Sequence, residues 1–204
     1  MNTSPQNSTQ VSPKGLLPNY RYILASLSPR RRQLLADLDI ELETCALNAD
    51  ESFPETLQAG DIALYLAEKK ANAYTKELVK NDLLITADTI VWVDGQVLNK
   101  PSDHAHAVKM LQQLSGKTHS VFTGVCLRTK IKKQSFVTET KVTFATLSDE
   151  EINYYISTYK PFDKAGAYGV QEWIGYIGVS NINGSYFNVM GLPLHELYHA
   201  IRGF

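Results

Sequence analysis

Along this chain hydrophobic positions recur with two periods, and the switches between them mark out its elements. Tyr20–Ala25 is a short run of mainly apolar and aromatic residues that predicts a first strand. Ser28-Pro29 predicts a helix start, with Ser as N-cap and Pro at the first helical position, and the helix continues through Arg32, Leu34, Leu35 and Leu38. An acidic, proline-bearing loop, NADESFPE, precedes a helix predicted from about Asp61 to Leu78, on which Ile62, Leu64, Tyr65, Leu66, Ala67 and Ala71 form an apolar stripe. Leu83–Ile85 reads as a short buried strand ending at Thr86-Ala87-Asp88-Thr89. Ile90–Val93 and Gln96–Leu98 then form a hairpin about Asp94-Gly95, a pair that suits a two-residue primed turn. A helix is expected from Ser102 to Leu114, ending at Gly116. Strands are expected at His119–Arg128 and Ser135–Ala145 around the basic turn KIKKQ. Ser148 with Glu151 has the spacing of a capping box, and after a Gly-rich stretch, 163–184, a last helix runs from about Pro193 to Ile201. Helices mixed with antiparallel hairpins predict an α/β fold with a mixed twisted sheet and flanking helices.

Composition narrows the class. With 204 residues the chain suits one domain, read here as residues 20–204 behind a flexible N-terminal tail, 1–19, rich in Ser, Asn, Gln and Pro. Hydrophobic residues at 44% and a net charge of −1 exclude a disordered polyelectrolyte. Twenty basic residues against 21 acidic ones also disfavour a nucleic-acid binder that relies on bulk charge. No apolar run approaches the roughly 18 residues of a membrane span, so no membrane partner is expected. The opening segment carries neither a basic nor an apolar signal region, which points to a cytoplasmic location. Cys45 and Cys126 stand far apart and suggest neither a zinc ribbon nor a disulfide framework.

Three segments carry candidate chemistry. Ser26-Leu27-Ser28-Pro29-Arg30-Arg31-Arg32 lies at a strand-to-helix junction, where free backbone N–H groups, two hydroxyls and guanidiniums attract phosphate; a capped surface helix with solvated arginines is the plainer alternative. Asp88, read at a strand end, is placed to hold Mg²⁺ or to take a proton from attacking water, or else merely to accept turn hydrogen bonds. Lys100-Pro101 follows the hairpin beyond it and offers a second cation. In Asp163-Lys164-Ala165-Gly166-Ala167-Tyr168-Gly169-Val170-Gln171 the glycines permit close backbone approach, and the Gln171 amide matches a base edge. His195-Glu196-Leu197-Tyr198-His199 is formally the zinc-peptidase pattern H-E-x-x-H, but Leu192, Leu194, Leu197 and Ile201 make it a packing helix instead.

Taken together, SLSPRR, ADT, KP and DKAGAYGVQ, with LAEKKA, LSGKTH, FTGV and INGSYFNVMGLPL, resemble the Maf family from about Tyr22 to the final helix. Proteins of that family are house-cleaning nucleoside triphosphate pyrophosphatases that are also linked to septum formation. The resemblance implies two lobes around a central cleft, a fold related to the inosine triphosphate pyrophosphatases, a divalent cation (Mg²⁺ or Mn²⁺) and a homodimer. It makes Asp88 the catalytic base and a metal ligand, and Glu51 a second metal carboxylate. Lys70 and Lys100 become phosphate contacts, with Ser26 in the same phosphate-binding segment. It also assigns Arg30, Thr89 and Gln171 to the positions that separate substrate classes, which puts this chain in the branch that cleaves dTTP and UTP between the α- and β-phosphates. The competing reading is a non-catalytic nucleotide-binding regulator of cell division. Two departures stand out: a third arginine, Arg32, and Trp173, expected to alter the cleft wall.

Overall fold

A computed structural model describes residues 20–47 and 49–204; the tail expected at 1–19 lies outside the described residues. Among the described residues, seven strands form one mixed sheet in the order β2-β1-β3-β5-β6-β7, with β4 on β3. The strands are β1 (Arg21–Ala25), β2 (Leu42–Cys45), β3 (Asp82–Val93), β4 (Gln96–Leu98), β5 (Thr118–Arg128), β6 (Lys133–Phe144) and β7 (Val179–Asn183). The helices are α1 (Pro29–Ala36), α2 (Gly60–Ala73), α3 (His104–Leu114), α4 (Asp149–Tyr159), α5 (Trp173–Gly178), α6 (Tyr186–Met190) and α7 (Leu194–Arg202). Strand β1 is parallel to β2 and β3, and the remaining pairs are antiparallel, so the sheet is mixed as expected.

The main departure from the sequence reading concerns β3. The short strand at Leu83–Ile85 and the first arm of the hairpin are one twelve-residue strand, so Asp88 and Thr89 lie in its middle and not at a strand end. One edge of β3 pairs with β5 from Leu84 to Trp92. Its other edge is shared: β1 takes Asp82–Ile85 and β4 takes Val91–Val93, which leaves positions 86–90 without a strand partner on that side. That gap is where the site forms.

Alternation along β3 sorts the cores. Leu83, Ile85 and Ala87 face a core shared with α1 and α7, whereas Val91 and Val93, on the same face, belong to a second core with α3 and α4. These two cores are the two lobes, and the gap lies between them. The opposite face carries α2 along its length, with Ile62, Ala63, Leu66, Ala67 and Ala71 buried. Gly124 on β5 allows this approach, since a Cβ there would stand 2.2 Å from the Ala63 carbonyl oxygen. Tyr65, expected in the stripe, faces outward, and Ala63 takes the inward position. Helix α2 also ends at Ala73, five residues earlier than Leu78, because Tyr74 turns extended and packs with Leu78 against Ile23, Ala25 and Leu84.

Local signals were kept where they closed within one turn. Ser28 accepts from the Arg31 amide at 3.4 Å, and Ser148 and Glu151 form the reciprocal capping box. Helix α3 starts two residues later than expected because Asp103, not Ser102, takes the His106 amide at 2.8 Å. The Gly-rich stretch is far from featureless: it holds α5 and the edge strand β7. Among the described residues, no helix is long and apolar enough to cross a membrane.

Candidate active site

A cleft of about 640 Å³ opens at the gap in β3, and Ser26, Arg30, Glu51, Lys70, Asp88, Thr89, Lys100 and Gln171 all line it. They arrive on six different supports. Ser26 and Arg30 come from the β1–α1 junction, Lys70 from the last turn of α2, Asp88 and Thr89 from β3, and Lys100 from the residues after β4. Glu51 sits in the acidic loop, and Gln171 on the segment leading into α5.

The buried floor is Asp88, 8% exposed, on the face of β3 covered by α2. Its carboxylate accepts a hydrogen bond from the Lys70 ammonium, which also reaches Glu51 Oε1 at 3.1 Å. Lys100 closes on Glu51 from the other side, at 3.1 and 3.2 Å. Burial alone pushes the Glu51 carboxyl up, but the Lys70 and Lys100 ammoniums outweigh it and hold the group below the usual carboxylate range. Two carboxylates and two ammoniums therefore meet beside the gap.

Thr89 points to the opposite face from Asp88, and the residue that meets it there was not ranked by the sequence. Arg31, buried, donates from Nε to the Gly191 carbonyl at 2.8 Å, from Nη1 to the Ala87 carbonyl at 2.8 Å, and from Nη2 to Thr89 Oγ1 at 2.9 Å. A guanidinium carries five N–H donors, so these three bonds leave two. Its charge takes the place of a strand partner in the gap. Burial lowers its pKa, with the Asp88 charge opposing that shift. Three consecutive arginines give no ranking by composition; the helix phase separates them. Arg32 is exposed, and Arg30 reaches across the cleft to Asp163 Oδ2 at 2.9 Å.

The wall opposite α1 is the 163–171 segment. Lys164 is buried, with its ammonium 2.8 Å from Asp163 and 3.0 Å from Glu172. The Gln171 side chain makes no hydrogen bond to a described residue, so its amide is available to the cleft. Trp173 is not part of the wall: it opens α5 and packs edge-on against Tyr154, with ring centroids 4.9 Å apart. His195 and His199 lie on the exposed side of α7, while Leu194, Leu197 and Ile201 pack into the α1 core. The formal H-E-x-x-H is thus part of a packing helix, remote from the cleft.

Comparison with known proteins agrees in one direction. A profile of the family described as "Maf-like protein" matches residues 21–204. The chain is 56% identical over 187 residues to a protein of Phocaeicola vulgatus named dTTP/UTP pyrophosphatase, covering 91% of this chain and 97% of that one. It is 52% identical over 189 residues to a protein of the same name from Parabacteroides distasonis, covering 92% and 98%. Among solved structures, the Staphylococcus aureus Ham1 protein aligns over 90% of this chain and 98% of its own with a TM-score of 0.49 and 15% identity, a likeness too slight to carry an argument.

Proposed function

The chain belongs to the Maf family, and on that premise we propose that it hydrolyses nucleoside triphosphates, dTTP and UTP foremost, to the monophosphate and pyrophosphate. The observation that carries this reading is the meeting of Arg30, Arg31, Lys70 and Lys100 around one buried carboxylate, Asp88, in a cleft whose far wall presents a free amide. A triphosphate needs its charge neutralised along its length, and these cations span the floor and rim of the cleft. Each ammonium and the Arg30 guanidinium rests on a carboxylate, a partner it can exchange for phosphate.

In this mechanism water attacks the α-phosphorus and the bond to the bridging oxygen breaks, so that pyrophosphate leaves with that oxygen. Asp88 takes the proton from the attacking water. Arg30 and the N-terminal amides of α1 hold phosphate oxygens, while Lys70 and Lys100 stabilise charge that builds on the leaving group. The donor set suits a small divalent ion, since Glu51 and Asp88 converge on a single Lys70 ammonium and phosphates with water complete such shells. Mg²⁺ or Mn²⁺ bound there would neutralise the triphosphate and acidify water. Gln171 both donates and accepts, matching the alternating edge of uracil or thymine; cytosine presents a different pattern, and a purine needs more room. The enzyme is proposed to work as a homodimer in the cytoplasm.

The test is pyrophosphate release from dTTP, UTP, CTP, ATP, GTP and 7-methyl-GTP with Mg²⁺ or Mn²⁺, with the nucleotide product identified. dTTP and UTP should lead; Gln171→Ala should erode that lead, and Arg30→Ala should weaken turnover of every substrate. A panel led by ATP or 7-methyl-GTP by about tenfold would overturn the pyrimidine assignment. No pyrophosphate from any triphosphate would overturn the enzyme and leave the nucleotide-binding regulator.

A further inference from the structure

Gln171 lies in a tight turn, and the turn is held from below by one buried hydroxyl. The Glu172 amide bonds the Gly169 carbonyl at 3.0 Å and closes the turn around Val170 and Gln171. Tyr155, a fully buried residue of α4, lies beneath it. Its hydroxyl accepts from the Gly169 amide at 3.0 Å and donates to Glu172 Oε2. Burial first, and then the Glu172 charge, pushes the Tyr155 phenol well above its ordinary range, so it stays a donor at any working pH. The second oxygen of Glu172 takes the Lys164 ammonium at 3.0 Å; Lys164 reaches Asp163 at 2.8 Å, and Asp163 holds Arg30 at 2.9 Å.

The packing leaves this turn no slack. A Cβ at Gly169 would lie 2.8 Å from the Glu172 carboxyl carbon, and one at Gly175 would lie 1.9 Å from the Val170 carbonyl oxygen. The Tyr176 hydroxyl donates to the Gln171 carbonyl at 2.9 Å, which fixes the backbone of Gln171 while its side chain stays unbonded. An anchored backbone fixes where the Gln171 amide can meet a base, and a donor–acceptor pair that drifts from that place would lose its advantage for the matching base.

We infer that Tyr155 is a positioning residue for base selection: through Gly169 and Glu172 it holds the turn bearing Gln171, and through Glu172, Lys164 and Asp163 it ties that turn to Arg30. This rests on the reading of Gln171 as the base contact. The test compares the wild type, Tyr155→Phe, Gln171→Ala, the double variant and Glu172→Gln for kcat and KM on dTTP, UTP and CTP, with melting temperatures alongside. Tyr155→Phe should raise KM for dTTP and UTP about tenfold, with kcat changed far less and CTP within about twofold. Glu172→Gln should move the ratio in the same direction. The double variant should be no worse than Gln171→Ala, because both substitutions remove one function. Equal losses on all three substrates, or losses that multiply in the double variant, would reduce Tyr155 to a structural role and overturn the inference. A dTTP-to-CTP ratio unchanged in Gln171→Ala would overturn the base-contact reading, and Tyr155 with it. If the wild type turns over nothing, the pyrophosphatase reading fails separately, and dTTP and CTP affinities of the same five proteins decide the role of the turn.

Discussion

Replacing Arg31 by Met tests whether a side chain stands in for the missing strand at the gap in β3. The change removes three hydrogen bonds from a cationic donor: to the carbonyls of Ala87 and Gly191 and to Thr89 Oγ1. These acceptors do not suffer equally. Thr89 Oγ1 keeps Thr123 Oγ1 at 2.9 Å, and the Gly191 carbonyl keeps a long contact from Thr89 at 3.4 Å. The Ala87 carbonyl loses the charged partner that served it at the gap. One buried acceptor stranded and a second weakened cost about 1–3 kcal/mol each. Together that is about 2–6 kcal/mol, and relief from burying the guanidinium charge offsets part of it, so the net loss is about 1–4 kcal/mol. For a chain of this length that lowers the melting temperature by roughly 2–16 °C. Arg31→Lys, with one compact ammonium, should fall between wild type and Met. Thermal melts and urea titrations of the three proteins measure the effect, with an unchanged urea slope confirming that stability alone moved. A Met variant melting within about 2 °C of wild type would show that the gap does not depend on Arg31.

Three further outcomes are expected. Asp88→Asn should lower kcat by about 10²–10⁴-fold at saturating metal while the circular dichroism spectrum and melting temperature stay close to wild type; near-normal turnover would remove Asp88 from the chemistry. His119, buried against Phe144 with Nε2 2.8 Å from the Tyr168 hydroxyl, is pushed down by burial from 6.5 to about 4. The folded protein thus prefers neutral His119: its contribution is complete above pH 6.5, disappears as pH falls to about 4, and amounts to about 3 kcal/mol. His119→Gln should flatten the stability profile in that window, and a slope identical to wild type would contradict the assignment. His195→Ala and His199→Ala should keep pyrophosphate release within about threefold, the spread of a surface change; stoichiometric zinc in protein purified without added metal, lost in the double variant, would reopen the peptidase reading.

Much of this protein was legible without coordinates wherever the signal closes within a few residues. The Ser28 and Ser148 caps are hydrogen bonds over three positions, and the Asp94-Gly95 turn is a backbone preference of two residues, with φ of 51° and 76°. The blocks containing Ser26, Arg30, Asp88, Lys100 and Gln171 could be named because each has its chemistry in its own side chains. Their meeting could not be read from spacing, since it depends on contacts such as Lys70–Asp88, Glu51–Lys100 and Arg30–Asp163, 18, 49 and 133 residues apart. Strand β3 shows why: Thr86, Asp88 and Thr89 interrupt an apolar run and read as a strand end, yet Thr86 bonds the Ala67 carbonyl at 2.7 Å, Asp88 meets Lys70 and Thr89 meets Arg31. Polar residues were affordable in mid-strand because two helices supplied their partners. The short edge strands β2 and β7 escaped for a related reason, as half-exposed runs take their strand character from the neighbour they pair with. Among Arg30, Arg31 and Arg32 the sequence determined the charge; the angular phase of α1 against the sheet decided which guanidinium is buried in the gap, which crosses the cleft and which stands exposed.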